Sequence, residues 1–274
     1  MSFIEKALSL ICNYALPLET ALSSPLPSLA VGAFMDSCFS KAIIKPFCAV
    51  EDLSIDSAEN SEFCSFNDFF TREPKAGLRP VDMDPNSLVS PCDAMLSVCS
   101  IGMDRVFQIK GISYSISDLL GTSEFDGEFL GGTFLLFRLR PCDYHRFIYF
   151  DKGKQLMQAR IGKRYHSVHP ASTSLLPVYR ENVREFSILD TENFGKAIQV
   201  EIGAMFVGRI TNHKACCSFE RGDEKGYFEF GGSSVALMLK KGAVVLDGNV
   251  VFGGSEYFVK RGQKIGSKLP LSGL

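Results

Sequence analysis

Residues 228–239 read Phe-Glu-Phe-Gly-Gly-Ser-Ser-Val-Ala-Leu-Met-Leu, FEFGGSSVALML. Without its two glycines and two serines this would be one apolar strand. Glycine adopts backbone angles that other residues resist, so the plain reading is a bulge or tight turn between two strands. A second reading is that the Gly232–Ser233 bond is placed to be cut by the hydroxyl of its own serine. On both sides of this stretch the chain keeps the same character. Short runs rich in Val, Ile, Phe and Leu alternate with glycine-containing turns: MLSVCSIG, RVFQIKG, GTFLLFRL, RFIYFDKG, AIQVEIGAMFVGRI, GYFEF, VALMLKKG, AVVLDGNVVFGG and EYFVKRGQKIG. This spacing predicts many strands joined by hairpins. SISDLLG and the region around Phe66–Phe70 add short helices. The expected fold class is α+β, mainly β, with a compact antiparallel β-rich body over residues 63–274.

The N-terminal portion, residues 1–50, is different. Phe3, Ile4, Ala7, Leu8, Ile11, Tyr14 and Ala15 recur at helical spacing, and Pro17 ends the run. A second helical stretch runs from about Leu29 to Phe47, with Asp36, Lys41 and Lys45 as its only charges. Two readings fit these apolar helices: packing on the core, or contact with a membrane interface. The acidic segment EDLSIDSAENSE (51–62) reads as a solvated connection to the β-rich body.

Composition narrows the function classes. The chain has 274 residues, 46% hydrophobic and 22% charged, with a net charge of −2, so nothing global favours nucleic acid. No apolar run reaches the roughly 20 residues that span a bilayer. Glu5 and Lys6 suit a secretory signal poorly, and no arginine precedes Arg72, against a mitochondrial presequence. The nine cysteines are odd in number and include no CxxC pair. They read as small hydrophobes in a reducing compartment rather than as disulfides or a zinc site.

Few residues are equipped for chemistry. The four histidines are His145, His166, His169 and His213. His145 lies in RLRPCDYHRF, where Asp143, Tyr144, His145 and Arg146 form a polar cluster beside an apolar run; such a histidine is either structural or an acid–base group. Asp93, in SPCDAML, reads locally as a turn residue. His166 and His169, in RYHSVHP, are too isolated to suggest a metal site. Lys152, Lys154, Arg160, Lys163 and Arg164 are either a phosphate-facing stretch or a solvated face. Phosphate loops, GxSxG elbows and HExxH helices do not occur.

The order of these pieces resembles the phosphatidylserine decarboxylase family of pyruvoyl-dependent enzymes. FNDFFTREPKAGLRP (66–80), SPCDAML, RPCDYHRF, HSVHP, EIGAMFVGRI and KGYFEFGGSSV are similar to six family blocks and occur in the family's order. The resemblance implies self-cleavage between Gly232 and Ser233. Ser233 Oγ attacks the Gly232 carbonyl, and elimination with hydrolysis leaves a covalent pyruvoyl group in place of Ser233. That group is the expected cofactor, with no metal, and it serves as the electron sink for decarboxylation. Ser234 stands at the family's usual threonine and keeps its hydroxyl. By the same carry-over His145 is the acid that protonates the substrate carbon, and Asp93 belongs to the self-cleavage machinery. The implied reaction turns phosphatidylserine into phosphatidylethanolamine and CO2. The implied partners are phosphatidylserine in a membrane and the two cleaved chains, which stay associated; a homodimer is compatible with it. The implied location is peripheral, on the cytoplasmic face of a membrane, without a transmembrane helix or signal peptide.

One position departs from the family pattern. The second histidine of D-Y-H-R-x-H, which would join Asp93 and Ser233 in a triad, is Ile148 here. This departure supports a second reading, a non-processing lipid- or protein-binding paralogue; a third, a relative acting on a soluble amine such as an amino acid, stands because a fold does not fix a substrate.

Overall fold

The computed structural model describes residues 23–269, apart from 61, 105, 110, 174–175, 206–208, 232, 249–251 and 254–255. The first expected helix and Gly232 lie outside the described residues. The expected α+β, mainly β architecture is what the chain adopts. Its centre is an eight-stranded antiparallel sheet, in the order Cys217–Phe219, Gly153–Ile161, Arg184–Thr191, Gly195–Gly203, Ser233–Leu239, Thr133–Leu139, Ala94–Ser100, Tyr257–Val259.

The stretch that opened the sequence supplies the middle of this sheet. Ser233–Leu239 pairs along its whole length with Thr133–Leu139 on one side and Gly195–Gly203 on the other. All seven of its residues are buried. A strand covered on both faces needs no polar alternation, which is why VALML is continuous. Side chains nonetheless alternate between two cores. Val235, Leu237 and Leu239 join Leu135, Phe137, Leu96 and Val98 on one face. Ala236 and Met238 join Phe134, Leu136, Ile198 and Val200 on the other.

The first face is covered by two smaller antiparallel sheets. One runs Ile210–Asn212, Glu224–Phe228, Arg146–Ile148, and the other Ser87–Val89, Lys264–Lys268, Val244–Leu246. They contribute Phe147, Phe228, Leu88, Val89 and Ile265 to the core. The opposite face is covered by the hairpin Val106–Ile109/Ile112–Ser115 and the short helices Ile116–Leu120 and Val178–Glu181. The expected helix at SISDLLG is Ile116–Leu120. It starts at a capping box, with Ser115 and Asp118 satisfying each other's backbone N–H groups, and ends at Gly121 with φ 68°.

The second N-terminal helical stretch resolves into a helix, Pro25–Asp36, a 3-10 turn, Cys38–Ile43, and a second helix, Ile44–Glu51. Their inner face packs Ile44, Phe47 and Cys48 against Phe66, Phe69 and Phe70 of the helix Phe66–Phe70. The acidic segment is tethered rather than free: Ala58 bridges Pro74, and Ser57 accepts a hydrogen bond from Tyr144 Oη at 3.0 Å. The basic stretch at 152–164 proves to be largely a strand, Gly153–Ile161, with Lys152 and Arg160 paired to Glu192, Glu220 and Glu185. Of the eight described cysteines, Cys48 and Cys92 are buried while Cys38, Cys64 and Cys216 are exposed. The reading of the cysteines as small hydrophobes suits the buried pair and not the three exposed thiols.

Candidate active site

Ser233 and His145 meet because two strand registers converge on them. Ser233 pairs with Leu139 across the central sheet. After Leu139 the chain turns through Arg140–Asp143, a turn closed by Asp143 N–H to Arg140 O at 3.0 Å and by Arg140 N–H to Asp143 Oδ2 at 2.8 Å. It then enters the small sheet at Arg146. The Phe228 N–H donates to the His145 carbonyl at 2.9 Å. From Phe228 the chain crosses back to the large sheet and begins the central strand at Ser233, next to the ring of His145. Gly231, on this crossing, has φ +135°, a conformation that a side chain would strain.

The imidazole is fully buried and held on three sides. Its Nδ1 lies 3.3 Å from Ser233 Oγ, and its Nε2 lies 3.1 Å from the Arg140 carbonyl. A carbonyl only accepts, so Nε2 carries the proton and Nδ1 of the neutral ring presents a lone pair to the serine hydroxyl. Phe70 stacks on the ring at 3.8 Å between centroids. Burial, then the nearby Arg72 guanidinium, push the imidazole down to about 3, against the upward pull of the Arg140 and Pro141 carbonyls. The histidine is therefore neutral at physiological pH.

Asp93 is placed elsewhere in the same corner. It is buried, and both of its oxygens are taken by Arg79, with Nε at 2.8 and 2.9 Å and Nη2 at 2.6 Å. The Arg261 N–H adds a further bond at 2.7 Å. Ile148 is buried, and its N–H donates to the Pro91 carbonyl, two residues before Asp93. Ser234 points to the opposite face of the strand, where its buried hydroxyl interacts with Tyr179. The remaining described histidine partners lie away from Ser233: His166 Nε2 donates to Glu181 at 3.0 Å and His213 Nε2 to Glu224 at 2.7 Å. Among the described residues no group of three or more His, Cys, Asp or Glu could hold a metal ion.

Sequence reasoning named Asp93, His145 and Ser233 but missed their supports. Phe70 and Arg79 sat in a stretch quoted for its pattern only. The Arg140 carbonyl carries no side-chain signal, because its part is played by the backbone.

A buried hydroxyl faces a bare imidazole nitrogen at the head of a strand, just after a glycine of positive φ, and this serine–histidine pair lies in a β-rich body. The comparisons narrow the reading. The chain matches the phosphatidylserine decarboxylase family over residues 66–267. It is 38% identical to phosphatidylserine decarboxylase proenzyme 2 of Clostridium acetobutylicum over 252 residues, 91% of this chain and 86% of that protein. A phosphatidylserine decarboxylase proenzyme of Clostridium perfringens (strain ATCC 13124) is 38% identical over 271 residues, covering 93% of this chain and 92% of its own. One from Clostridium botulinum (strain 657) is 40% identical over 223 residues, 79% of this chain and 76% of its own. The chain belongs to the phosphatidylserine decarboxylase family, a family of carboxy-lyases.

Proposed function

We propose that this chain cleaves itself between Gly232 and Ser233 and then decarboxylates phosphatidylserine to phosphatidylethanolamine. The observation that carries the reading is the 3.3 Å approach of His145 Nδ1 to Ser233 Oγ in a chain of this family. The residues present fit a pyruvoyl group at position 233: Ser233 supplies its carbons, and the full burial of Ser233 and His145, with Phe70 stacked on the imidazole, keeps bulk water from it. Such a group supplies an electron sink while CO2 leaves. His145 is the proton carrier. Neutral at the outset, its Nδ1 would take up a proton and hand it to the substrate carbon that has lost CO2. Asp93 acts as a positioning residue, fixing the segment before Ala94 to Arg79 and Arg261.

The N-terminal portion docks the enzyme on its lipid. Its inner face packs on the body, while Leu26 and Phe39 remain 77% and 78% exposed, with Leu29, Phe34 and Val50 also open to solvent. This apolar face suits insertion into a bilayer interface. No described helix is long and apolar enough to cross a membrane. The non-processing reading rests on Ile148 alone.

The test is the intact mass of purified protein under denaturing conditions. Expected are a chain of residues 1–232 and a chain of 233–274 beginning with pyruvoyl, with CO2 release from phosphatidylserine vesicles. A persistent full-length chain would sink the reading in favour of the non-processing paralogue.

A further inference from the structure

We infer that His145 is itself the general base of self-cleavage, so that one histidine serves both maturation and turnover. This rests on the self-processing reading above and goes further by assigning the base. The family pattern gives the base's task to a histidine at position 148, paired to the aspartate at 93. Neither half of that pair is available. Position 148 is a buried isoleucine, which accepts no proton, and the Asp93 carboxylate is fully engaged by the Arg79 guanidinium and the Arg261 N–H. The histidine that does reach Ser233 is His145, and its tautomer is already set. The Arg140 carbonyl holds the proton on Nε2 and so performs, from the backbone, the orienting task that a carboxylate performs in a triad. Phe70 fixes the ring plane.

The steps balance on this one nitrogen. Nδ1 takes the Ser233 hydroxyl proton as Oγ bonds to the Gly232 carbonyl carbon. The C–N bond breaks, and Nδ1 returns the proton to the Ser233 nitrogen, leaving an ester and a free amine. Nδ1 next takes the Ser233 α-proton. The Cβ–Oγ bond breaks with its electron pair going to oxygen, which releases residues 1–232 with a carboxylate end. Nδ1 gives this α-proton to Cβ, which turns the enamine into an iminium, and water then replaces the nitrogen, which departs as ammonium. A carbonyl stabilises the transient imidazolium less than a carboxylate would, and Arg72 opposes that charge. Maturation is therefore slow rather than absent.

The test compares wild type, Ser233→Ala and His145→Gln, the last retaining an amide able to donate to the Arg140 carbonyl. Intact mass is followed over time, with thermal melting as the check of folding. The expected result is cleaved wild type and a folded His145→Gln chain whose cleavage is slower by roughly 10²–10⁴-fold. Cleavage of His145→Gln at the wild-type rate would overturn the inference and leave self-processing standing. Failure of wild type to cleave at all would overturn both. A second measurement needs no change at His145: nitrogen NMR of histidine-labelled, uncleaved Ser233→Ala. A neutral ring protonated at Nε2 and bare at Nδ1 is expected at neutral pH; a ring protonated at Nδ1 would end the proposal even if His145→Gln failed to fold.

Discussion

Asp93 and Arg79 form a bidentate ion pair in which the carboxylate is buried and the guanidinium half-sheltered, with Nη2 2.6 Å from Oδ2. The pair ties the turn before Ala94–Ser100 to the segment that leads in from the helix Phe66–Phe70. Removing one charge strands the other in a site that water barely reaches. Arg79→Leu is therefore expected to lower the unfolding free energy of the Ser233→Ala chain by about 3–5 kcal/mol. Urea denaturation measures it, and a loss below about 1 kcal/mol would show that Asp93 stays adequately solvated without Arg79.

Placing a histidine at 148 tests whether Asp93 can leave its arginine. Ile148→His buries a polar ring in a site shaped for an aliphatic one, at a cost of about 1–3 kcal/mol. Because Asp93 is already engaged, the rate of self-cleavage is expected to stay within a few-fold of wild type. An acceleration beyond tenfold, seen by intact mass, would mean that the aspartate exchanges partners readily.

The neutral imidazole has a consequence for acid stability. Free histidine titrates near 6.5, and folding lowers His145 to about 3. Between these values the unfolded chain binds the proton and the folded chain does not, so stability falls as pH drops from about 6.5 toward 3. At 1.36 kcal/mol per unit the contribution is on the order of 4–5 kcal/mol over the full window. Urea midpoints of the Ser233→Ala chain against pH should show the slope, and the same chain with His145→Gln should be flatter. Equal slopes would remove His145 from the account.

The buried pair Glu201–Lys225 offers a structural control, because neither side chain touches Ser233 or His145. Both side chains are fully buried at 3.0 Å, and Lys225 also donates to Asn212 at 2.6 Å. Lys225→Met alone is expected to cost about 3–5 kcal/mol, and adding Glu201→Gln should recover most of the loss. A double-mutant cycle by thermal melting decides; additive losses would argue against coupling.

Lipid contact is tested on the outer face of the N-terminal helices. Leu26, Leu29 and Phe39 changed together to serine should reduce sedimentation with phosphatidylserine vesicles by about tenfold or more, since each buried apolar side chain contributes roughly 1.5–3 kcal/mol. Thermal stability should hold, because all three side chains are largely exposed. Unchanged vesicle binding would return the helices to a purely packing role.

Much of this fold was legible because its strands are written as apolar runs between glycine turns, and VALML read as a strand; that it is buried on both faces came only with the structure. Gly153–Ile161 was not, because its charged and apolar side chains follow no clean alternation, and its lysines and arginines read as a solvated or phosphate-facing stretch instead. The helix Pro25–Asp36 was expected to begin later; proline is well tolerated in the first turn, and this helix starts on one. At the site, Ser233 and His145 were readable as motif residues. The approach of His145 Nδ1 to Ser233 was not, since it depends on how two sheets bring Leu139 and Phe228 alongside the same ring.

Ser233–Leu239 is flanked by a strand on each side, and the segments after it knit into Ser87–Val89 and Ala94–Ser100 as well. A nick before Ser233 would thus sever the covalent thread without loosening the weave. The two pieces would melt as one body, at a temperature independent of concentration, and would not trade partners with other nicked molecules unless denatured. Each molecule would mature once, alone, and keep its own fragment for life.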